Sequence, residues 1–339
     1  MYKGHTVGVV VPAYNEEGFV GEVIDTMPDF VDRVYVVDDQ STDGTWQEIR
    51  NHADEANRVA SQRRADATIA DGGLASSQRV VPIRHETNRG VGGAIKTGYR
   101  RAYRDEMDVT AVMAGDGQMD PDLLDGLLDP VVDHGADYAK GNRLLHPEFR
   151  DGMPRFRLFG NAVLSLLTKI ASGYWRIGDP QNGYTAISYR ALDELDVENL
   201  YEEYGFANEL LVRLNECGMQ VADVAVPALY GDEQSTIRYR TFVPRLSTLL
   251  LVNFCRRLRT QSTEDGDRST VLCYVLGVLG LLATLLAGLG VLGGVAIDLD
   301  HVGVAGLVSA TSLALAVLLD VERNEDLEIQ VFGEAEADA

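Results

Sequence analysis

After Arg268 the chain runs as far as Asp298 without one charged side chain. A stretch that long and apolar has two destinations, a bilayer or a protein core, and about 20 apolar residues suffice to cross a bilayer. A second uncharged run, Val302 to Leu319, rich in Gly, Ala and Leu, follows the short link Asp298 to His301. Neither run carries the polar stripe that a soluble protein's surface helix turns to water. The pattern predicts a transmembrane hairpin with helices over 271–297 and 302–320 and an acidic cytoplasmic tail over 321–339. Ahead of it, Leu246, Leu249, Leu250, Val252, Phe254 and Leu258 interleave with Arg245, Arg256, Arg257 and Arg259. That mixture predicts an amphipathic helix over 241–262 lying in the membrane interface. Because arginines crowd the side before the first span, the positive-inside rule puts both ends of the hairpin in the cytoplasm. The expectation is a multi-pass cell-membrane protein whose residues 1–240 form a cytoplasmic domain. Met1 leads almost directly into apolar Thr6 to Val11, leaving no room for a signal peptide.

Composition matters mainly for what it excludes. The formal net charge of -22, from 52 acidic and 30 basic residues, argues against a nucleic-acid partner, which requires a basic face. Lys3, Lys96, Lys140 and Lys169 are the lysines, and every other basic residue is arginine. An acidic, lysine-poor surface suits a salty cytoplasm, where screening lets like charges sit close together. Cys217, Cys255 and Cys273 are widely spaced, with no CxxC pair and no His grouping that suggests zinc.

Residues 1–240 alternate short apolar runs with helical patterns, which predicts an α/β domain of βα units around a mostly parallel sheet. Val7 to Val11, Val34 to Val37, Val80 to Arg84 and Val109 to Ala114 read as buried strands, short and rich in valine. Pro121 to His134 reads as a helix with Pro in its first turn, Asp137 to Arg143 as a return strand and Gln220 to Val226 as the last strand. Arg155 to Ser172 spaces Phe156, Phe159, Val163, Leu166, Leu167 and Ile170 as a helical face that must pack on something apolar. Asp54 to Arg79 sustains no apolar period and is expected to be a partly helical, partly mobile surface insertion.

Ligands of open α/β sheets collect at the carboxyl ends of strands, where four polar motifs stand. Val11-Pro12-Ala13-Tyr14-Asn15-Glu16-Glu17 offers a stacking face in Tyr14 and an acceptor in Glu16. Val37-Asp38-Asp39-Gln40-Ser41-Thr42-Asp43-Gly44-Thr45 offers two adjacent carboxylates to a base or ribose, although a helix cap alone explains Ser41 and Thr42. Asn88-Arg89-Gly90-Val91-Gly92-Gly93-Ala94 opens a helix whose free N–H groups can approach phosphate, with charge from Arg89. It is not a dinucleotide fingerprint, because the third glycine of GxGxxG would fall at Ile95. Met113-Ala114-Gly115-Asp116-Gly117-Gln118-Met119-Asp120-Pro121 sets a carboxylate and an amide two residues apart, oxygen donors suited to Mg²⁺ or Mn²⁺. Asp120-Pro121 is accounted for by a helix cap; Asp116 and Gln118 are not.

In this order, each at a strand end, the four motifs resemble glycosyltransferase family 2 over roughly Thr6 to Arg240. The terminal hairpin resembles its lipid-phosphate branch, the dolichyl-phosphate mannose or glucose synthases and their relatives. The resemblance implies a GT-A fold and inversion at the anomeric carbon. It implies a nucleotide-sugar site at Pro12, Tyr14, Glu16, Asp38, Asp39, Arg89, Gly90, Gly115 and Asp116, for a UDP- or GDP-hexose. Asp116 and Gln118 look like the ligands of a Mg²⁺ or Mn²⁺ ion. Arg143, Arg155 and Arg157, with Ser235 and Arg238, look like the contacts of a dolichyl or polyprenyl phosphate. Asp116, Gln118 and Arg143 are the residues expected to carry the reaction. Where the branch often has Asp-x-Asp, this chain has Ala114-Gly115-Asp116, so water or diphosphate oxygens must complete a metal shell.

The expected reaction is one in-line displacement of a nucleoside diphosphate by a lipid phosphate at the cytoplasmic membrane face. A phosphomonoester is largely ionised near neutral pH and needs no general base. A rival acceptor, the hydroxyl of a lipid-linked oligosaccharide, needs one, and Glu209 or Asp179 would supply it. A processive polysaccharide synthase fits less well, because the QxxRW element is missing. A membrane-tethered scaffold without activity is the reading that Ala114 motivates.

Overall fold

The computed structural model describes residues 1–68, 78–145, 155–227, 239–263, 268–292 and 299–330. Eight strands form one sheet: β1 (Val7–Ala13), β2 (Arg33–Asp38), β3 (Val80–Arg84), β4 (Val109–Val112), β5 (Tyr138–Asn142), β6 (Thr185–Ser188), β7 (Val221–Ala225) and β8 (Glu328–Gln330). Their order is β3-β2-β1-β4-β6-β5-β7-β8. The β3-β2-β1-β4 half is parallel; β6 alone runs antiparallel to its neighbours, and β5, β7 and β8 are again parallel.

Strand periodicity builds two core layers. Val7, Val9 and Val11 point to one face of the sheet and Val10 to the other, as do Val34 and Val36 against Tyr35 and Val37. On the first face pack α1 (Val20–Asp25), α2 (Thr45–Thr68) and α4 (Leu124–Val132), through Ile24, Ile49, Leu124 and Leu128. On the second pack α3 (Gly90–Arg104), α6 (Tyr189–Glu194) and α7 (Phe206–Glu216), through Ile95, Tyr99, Leu192 and Leu210. Each fully buried aliphatic side chain contributes about 1.5–3 kcal/mol.

Several boundaries differ from the sequence reading. Much of the expected insertion is helix, because α2 continues to Thr68 and Asn57 fastens it to β3 by exchanging hydrogen bonds with both backbone groups of Val80. The expected helix from Pro121 begins as a 3-10 turn over Pro121–Leu123, capped by the Asp120 side chain. Nor does β7 close the sheet, since β8 pairs with it after the hairpin.

The helix α5 (Arg155–Ser172) packs against α8 (Tyr239–Thr263) and α7. It turns Phe159, Val163, Leu166 and Leu167 outward. Helices α9 (Arg268–Leu292) and α10 (Leu299–Asn324) pair with each other. Both are long and apolar enough to cross a membrane, and only 11% of each apolar window is buried, unlike a soluble core helix. The segment read as an acidic tail begins differently, with α10 reaching Asn324 and Glu328 in β8 accepting the N–H groups of Trp175 and Arg176.

The arginines of α8 are not all interfacial. Arg257 is fully buried, donating to Asp320 of α10 and to the carbonyls of Ile170 and Ala171 at the end of α5. Arg256 pairs with Glu216 and Glu209 of α7. Carboxylates far away in sequence hold both, which periodicity alone cannot reveal. Tyr274 near the start of α9 donates to the same Asp320, so both ends of the hairpin meet at the α/β domain.

Candidate active site

The loops after β1, β2 and β4 are sewn together by backbone and side-chain bonds. Gly115 N–H donates to Pro12 O at 3.1 Å, and Asp39 N–H to Ala13 O at 2.9 Å. Asn15 N–H donates to Ser41 Oγ and Glu16 N–H to Thr45 Oγ1, while Thr42 N–H donates to Asn15 Oδ1. Asn15 and Gln40 take left-handed backbone conformations, with φ of 58° and 65°, to make these turns. Ser41 and Thr45 thus hold the first loop, and Thr45 also begins α2. At this joint Tyr14 is 47% exposed, whereas Pro12, Glu16, Asp116 and Gln118 are half-buried.

The two adjacent carboxylates of the second motif, Asp38 and Asp39, are buried. Asp38 Oδ1 accepts from Ser41 N–H at 3.0 Å. Arg84 Nε lies 2.9 Å from Asp38 Oδ2, within ion-pairing reach, yet off the N–H direction, so that buried oxygen lacks an aligned donor. Asp39 accepts from Arg89 N–H at 2.9 Å, Gly90 N–H at 2.7 Å and His85 Nδ1 at 2.7 Å. His85 Nε2 in turn sits 2.9 Å from Thr97 Oγ1. Sequence reading passed over His85, although it stands directly after β3, where the positional rule for strand ends points.

The glycines opening α3 serve close packing. A Cβ on Gly90 would lie 2.7 Å from Glu202 O, and one on Gly92 would lie 2.7 Å from Tyr201 O. Gly93 N–H donates to Glu202 O. Arg89 and Lys96 both reach the Glu202 carboxylate, and the Arg89 hydrogen bond is the leading reason that Glu202 is held below the usual carboxylate range. In this chain the N–H groups of Arg89 and Gly90 are bonded to Asp39 and the Arg89 guanidinium to Glu202. Glu202 has no local signal in the sequence, because it arrives from a distant loop.

Asp116 Oδ1 accepts Gln118 N–H at 3.0 Å across Gly117, whose φ is 72°. Among the described residues no group of three or more His, Cys, Asp or Glu side chains gathers to hold a metal ion. Mg²⁺, however, is commonly bound through one or two carboxylates plus substrate phosphates and water. A single half-buried carboxylate beside an amide fits an ion that arrives with a diphosphate, and does not fit one caged by protein alone.

Directly after β5, Arg143 forks onto Asp179: Nε to Oδ2 at 2.7 Å and Nη2 to Oδ1 at 2.9 Å. Burial alone would raise the Asp179 carboxyl, but the Arg143 bonds and charge outweigh it and hold it lowered. Glu209 accepts Tyr201 N–H at 2.7 Å and pairs with Arg256 and Arg213. Arg155 and Arg157 lie in the first turn of α5. Ser235 and Arg238 fall outside the described residues.

The carboxyl edge of the sheet thus gathers an exposed tyrosine ring, two buried carboxylates and a half-buried Asp–Gln pair, in a chain that also carries two helices long and apolar enough to cross a membrane. Residues 8–196 match the family model described as Glycosyl transferase family 2, and the chain belongs to that family. The UDP-N-acetylglucosamine–dolichyl-phosphate N-acetylglucosaminyltransferase of Methanococcus voltae is 28% identical over 66% of this chain and 86% of its own length. The polyprenol monophosphomannose synthase of Mycolicibacterium smegmatis is 30% identical over 64% of this chain and 75% of its own. The undecaprenyl-phosphate mannosyltransferase of Micrococcus luteus is 28% identical over 64% and 81%. A crystal structure of Mycobacterium tuberculosis glucosyl-3-phosphoglycerate synthase with Mn²⁺, UDP and phosphoglyceric acid aligns at a TM-score of 0.49 and 19% identity, covering 75% of this chain and 78% of that one. At that distance it transfers no residue's role.

Proposed function

We propose that this chain moves a hexose from a UDP- or GDP-hexose to a dolichyl or polyprenyl phosphate at the cytoplasmic membrane face, inverting the anomeric carbon. The observation carrying this reading is that the two carboxylates named above as candidate bases are committed to arginine, Asp179 to Arg143 and Glu209 to Arg256. An acceptor that is already ionised needs no base, and a phosphomonoester is one. The names of the three relatives given above, lipid-phosphate sugar transferases, support the same acceptor.

In this reading Tyr14 stacks on the nucleoside at the joint of the first two loops, with Pro12, Glu16, Asp38, Asp39 and Gly115 shaping the pocket. Asp116 and Gln118 would hold Mg²⁺ or Mn²⁺ against the donor diphosphate; when bound, such an ion neutralises charge on the leaving group. Arg143, partly exposed beside Asp179, orients the acceptor phosphate, with Arg155 and Arg157 of α5 and Ser235 and Arg238 as further contacts. A phosphate oxygen then attacks the anomeric carbon as its bond to the diphosphate breaks, helped by positioning. The arginines of α8 and the attachment of both hairpin ends to the domain support a cytoplasmic orientation.

The test is transfer of label from a panel of UDP- and GDP-hexoses by the full-length chain. Label should enter an organic-extractable, mild-acid-labile lipid when polyprenyl phosphate is supplied, and not when a lipid-linked oligosaccharide is. Transfer only to the oligosaccharide would establish the hydroxyl acceptor instead. Nucleotide-diphosphate binding that requires no divalent ion, without any transfer, would point to a tethered scaffold.

A further inference from the structure

Lys140 and Asp223 are direct partners in the parallel β5–β7 ladder, with side chains only 1% and 8% exposed. Between them they hold both backbone groups of Gly178. Lys140 Nζ donates to Gly178 O at 2.6 Å and to Gly141 O at 3.2 Å, and lies 3.4 Å from Asp223 Oδ1. Asp223 Oδ2 accepts Gly178 N–H at 2.7 Å and Asn142 Nδ2 at 2.6 Å. A Cβ at Gly178 would stand 2.6 Å from Asn142 Nδ2 and push that amide off its bond to Asp223.

The next residue is Asp179, in the left-handed region at φ 41°. Such a conformation costs a non-glycine residue about 1–3 kcal/mol and persists only where the surroundings impose it. Here it turns the carboxylate onto Arg143, accepting both the side-chain fork and the Arg143 N–H at 3.1 Å. Asn142 Oδ1 accepts Leu144 N–H at 2.8 Å, so the same network grips the backbone on the far side of Arg143.

This arrangement is a poor way to gain stability. A buried ion pair often stabilises no better than apolar residues of the same volume. Burial pushes the Asp223 carboxyl above its ordinary range even with the lysine beside it. A chain with four lysines among 30 basic residues has nevertheless kept one here. An ammonium directs three donors around a single point, whereas arginine's flat fork cannot meet Gly141 O, Gly178 O and Asp223 together.

We propose that Lys140, Asn142 and Asp223 are positioning residues that fix Gly178–Asp179 so that Arg143 presents its guanidinium to the acceptor phosphate. The inference rests on the assignment of Arg143 to that phosphate. It explains why Lys140-Gly141-Asn142 precedes Arg143 and why Gly178 precedes Asp179.

The full-length enzyme is assayed with a short-chain polyprenyl phosphate and the UDP- or GDP-hexose that the wild type turns over, each varied in turn. Asp223→Asn should raise the acceptor KM about tenfold or more and leave the donor KM unchanged. Lys140→Arg should not restore the wild-type acceptor KM. In an Arg143→Gln background, Asp223→Asn should add nothing further, because the two act through one group. Asn142→Ala leaves the ion pair in place and carries the same expectation, which covers the case of a misfolded Asp223 variant. Equal rises in both KM values, or additive effects in the Arg143→Gln background, would overturn the proposal. If Arg143→Gln raises the acceptor KM while Asp223→Asn and Asn142→Ala do not, the positioning inference alone fails. If Arg143→Gln leaves it unchanged, the acceptor assignment fails and this inference with it.

Discussion

Asp320 on α10 receives the Arg257 guanidinium of α8 head-on, Nη1 at 2.7 Å from Oδ1 and Nη2 at 2.9 Å from Oδ2, with both side chains withdrawn from solvent. Trp175, Tyr274 and Asn324 donate to the same carboxylate, so one acid ties the catalytic domain, α8 and both hairpin helices together. Removing one partner of such a pair strands a buried charge, a loss of about 3–5 kcal/mol. Asp320→Ala should lower stability by that amount in urea unfolding of the detergent-solubilised chain. The double change Arg257→Met, Asp320→Leu should recover most of it. A loss below about 1 kcal/mol for Asp320→Ala would show that the hairpin is held elsewhere.

Gly92 separates packing from ligand binding. An added methyl would meet Tyr201 O, Glu202 O and the Phe206 Cβ, at 2.7, 2.8 and 2.8 Å. Overpacking of this kind costs about 1–3 kcal/mol. Gly92→Ala should lower the melting temperature while the folded fraction keeps its donor KM. A raised donor KM with unchanged melting would restore the phosphate role to this helix start.

The Arg143–Asp179 fork makes an acid-sensitive contribution. Because Asp179 is held lowered, its stabilisation is fully present above the unfolded value of about 3.9 and is lost as the pH falls through the still lower folded value. Urea unfolding of wild type and Asp179→Asn should differ by a constant amount between about pH 7 and pH 5, the gap closing below about pH 4. A gap that closes already near neutral pH would contradict the assignment.

A net charge of -22 repels itself most when unscreened, and the Debye length shrinks from about 30 Å at 0.01 M to about 3 Å at 1 M salt. Surface pairs such as Lys3–Asp129 weaken over the same range, but they are few beside the excess of carboxylates. Melting temperature should therefore rise with KCl. A fall would mean that ion pairs outweigh repulsion and that the acidic surface is no salt adaptation.

Much of this molecule was legible in the chain. Short valine-rich runs marked β1 to β3, and the loops after β1, β2 and β4 are joined, since Gly115 bonds to Pro12 and Asp39 to Ala13. What stayed hidden is partner identity at long range. Glu202 fills the start of α3 from more than a hundred residues away, and Asp320 buries Arg257 across the hairpin. Arg257 looked interfacial because helical spacing reports which residues share a face, not what lies opposite. β8 was invisible for a related reason: three residues carry too little pattern to declare a strand, and only the open edge of β7 makes one. Lys140 and Asp223 lay in recognised strands, yet nothing local says that their side chains meet on Gly178.

The most direct test compares two neighbouring acids that the fold treats differently. Asp120 caps the 3-10 turn at Pro121, whereas among the described residues Asp116 accepts the Gln118 N–H across a single turn. Transfer of labelled hexose to polyprenyl phosphate should fall by about a hundredfold or more in Asp116→Ala, with melting near that of wild type. Asp120→Ala should instead cost about 1 kcal/mol of stability and leave transfer by the folded protein intact. Full transfer by Asp116→Ala would contradict the site proposed at the end of β4.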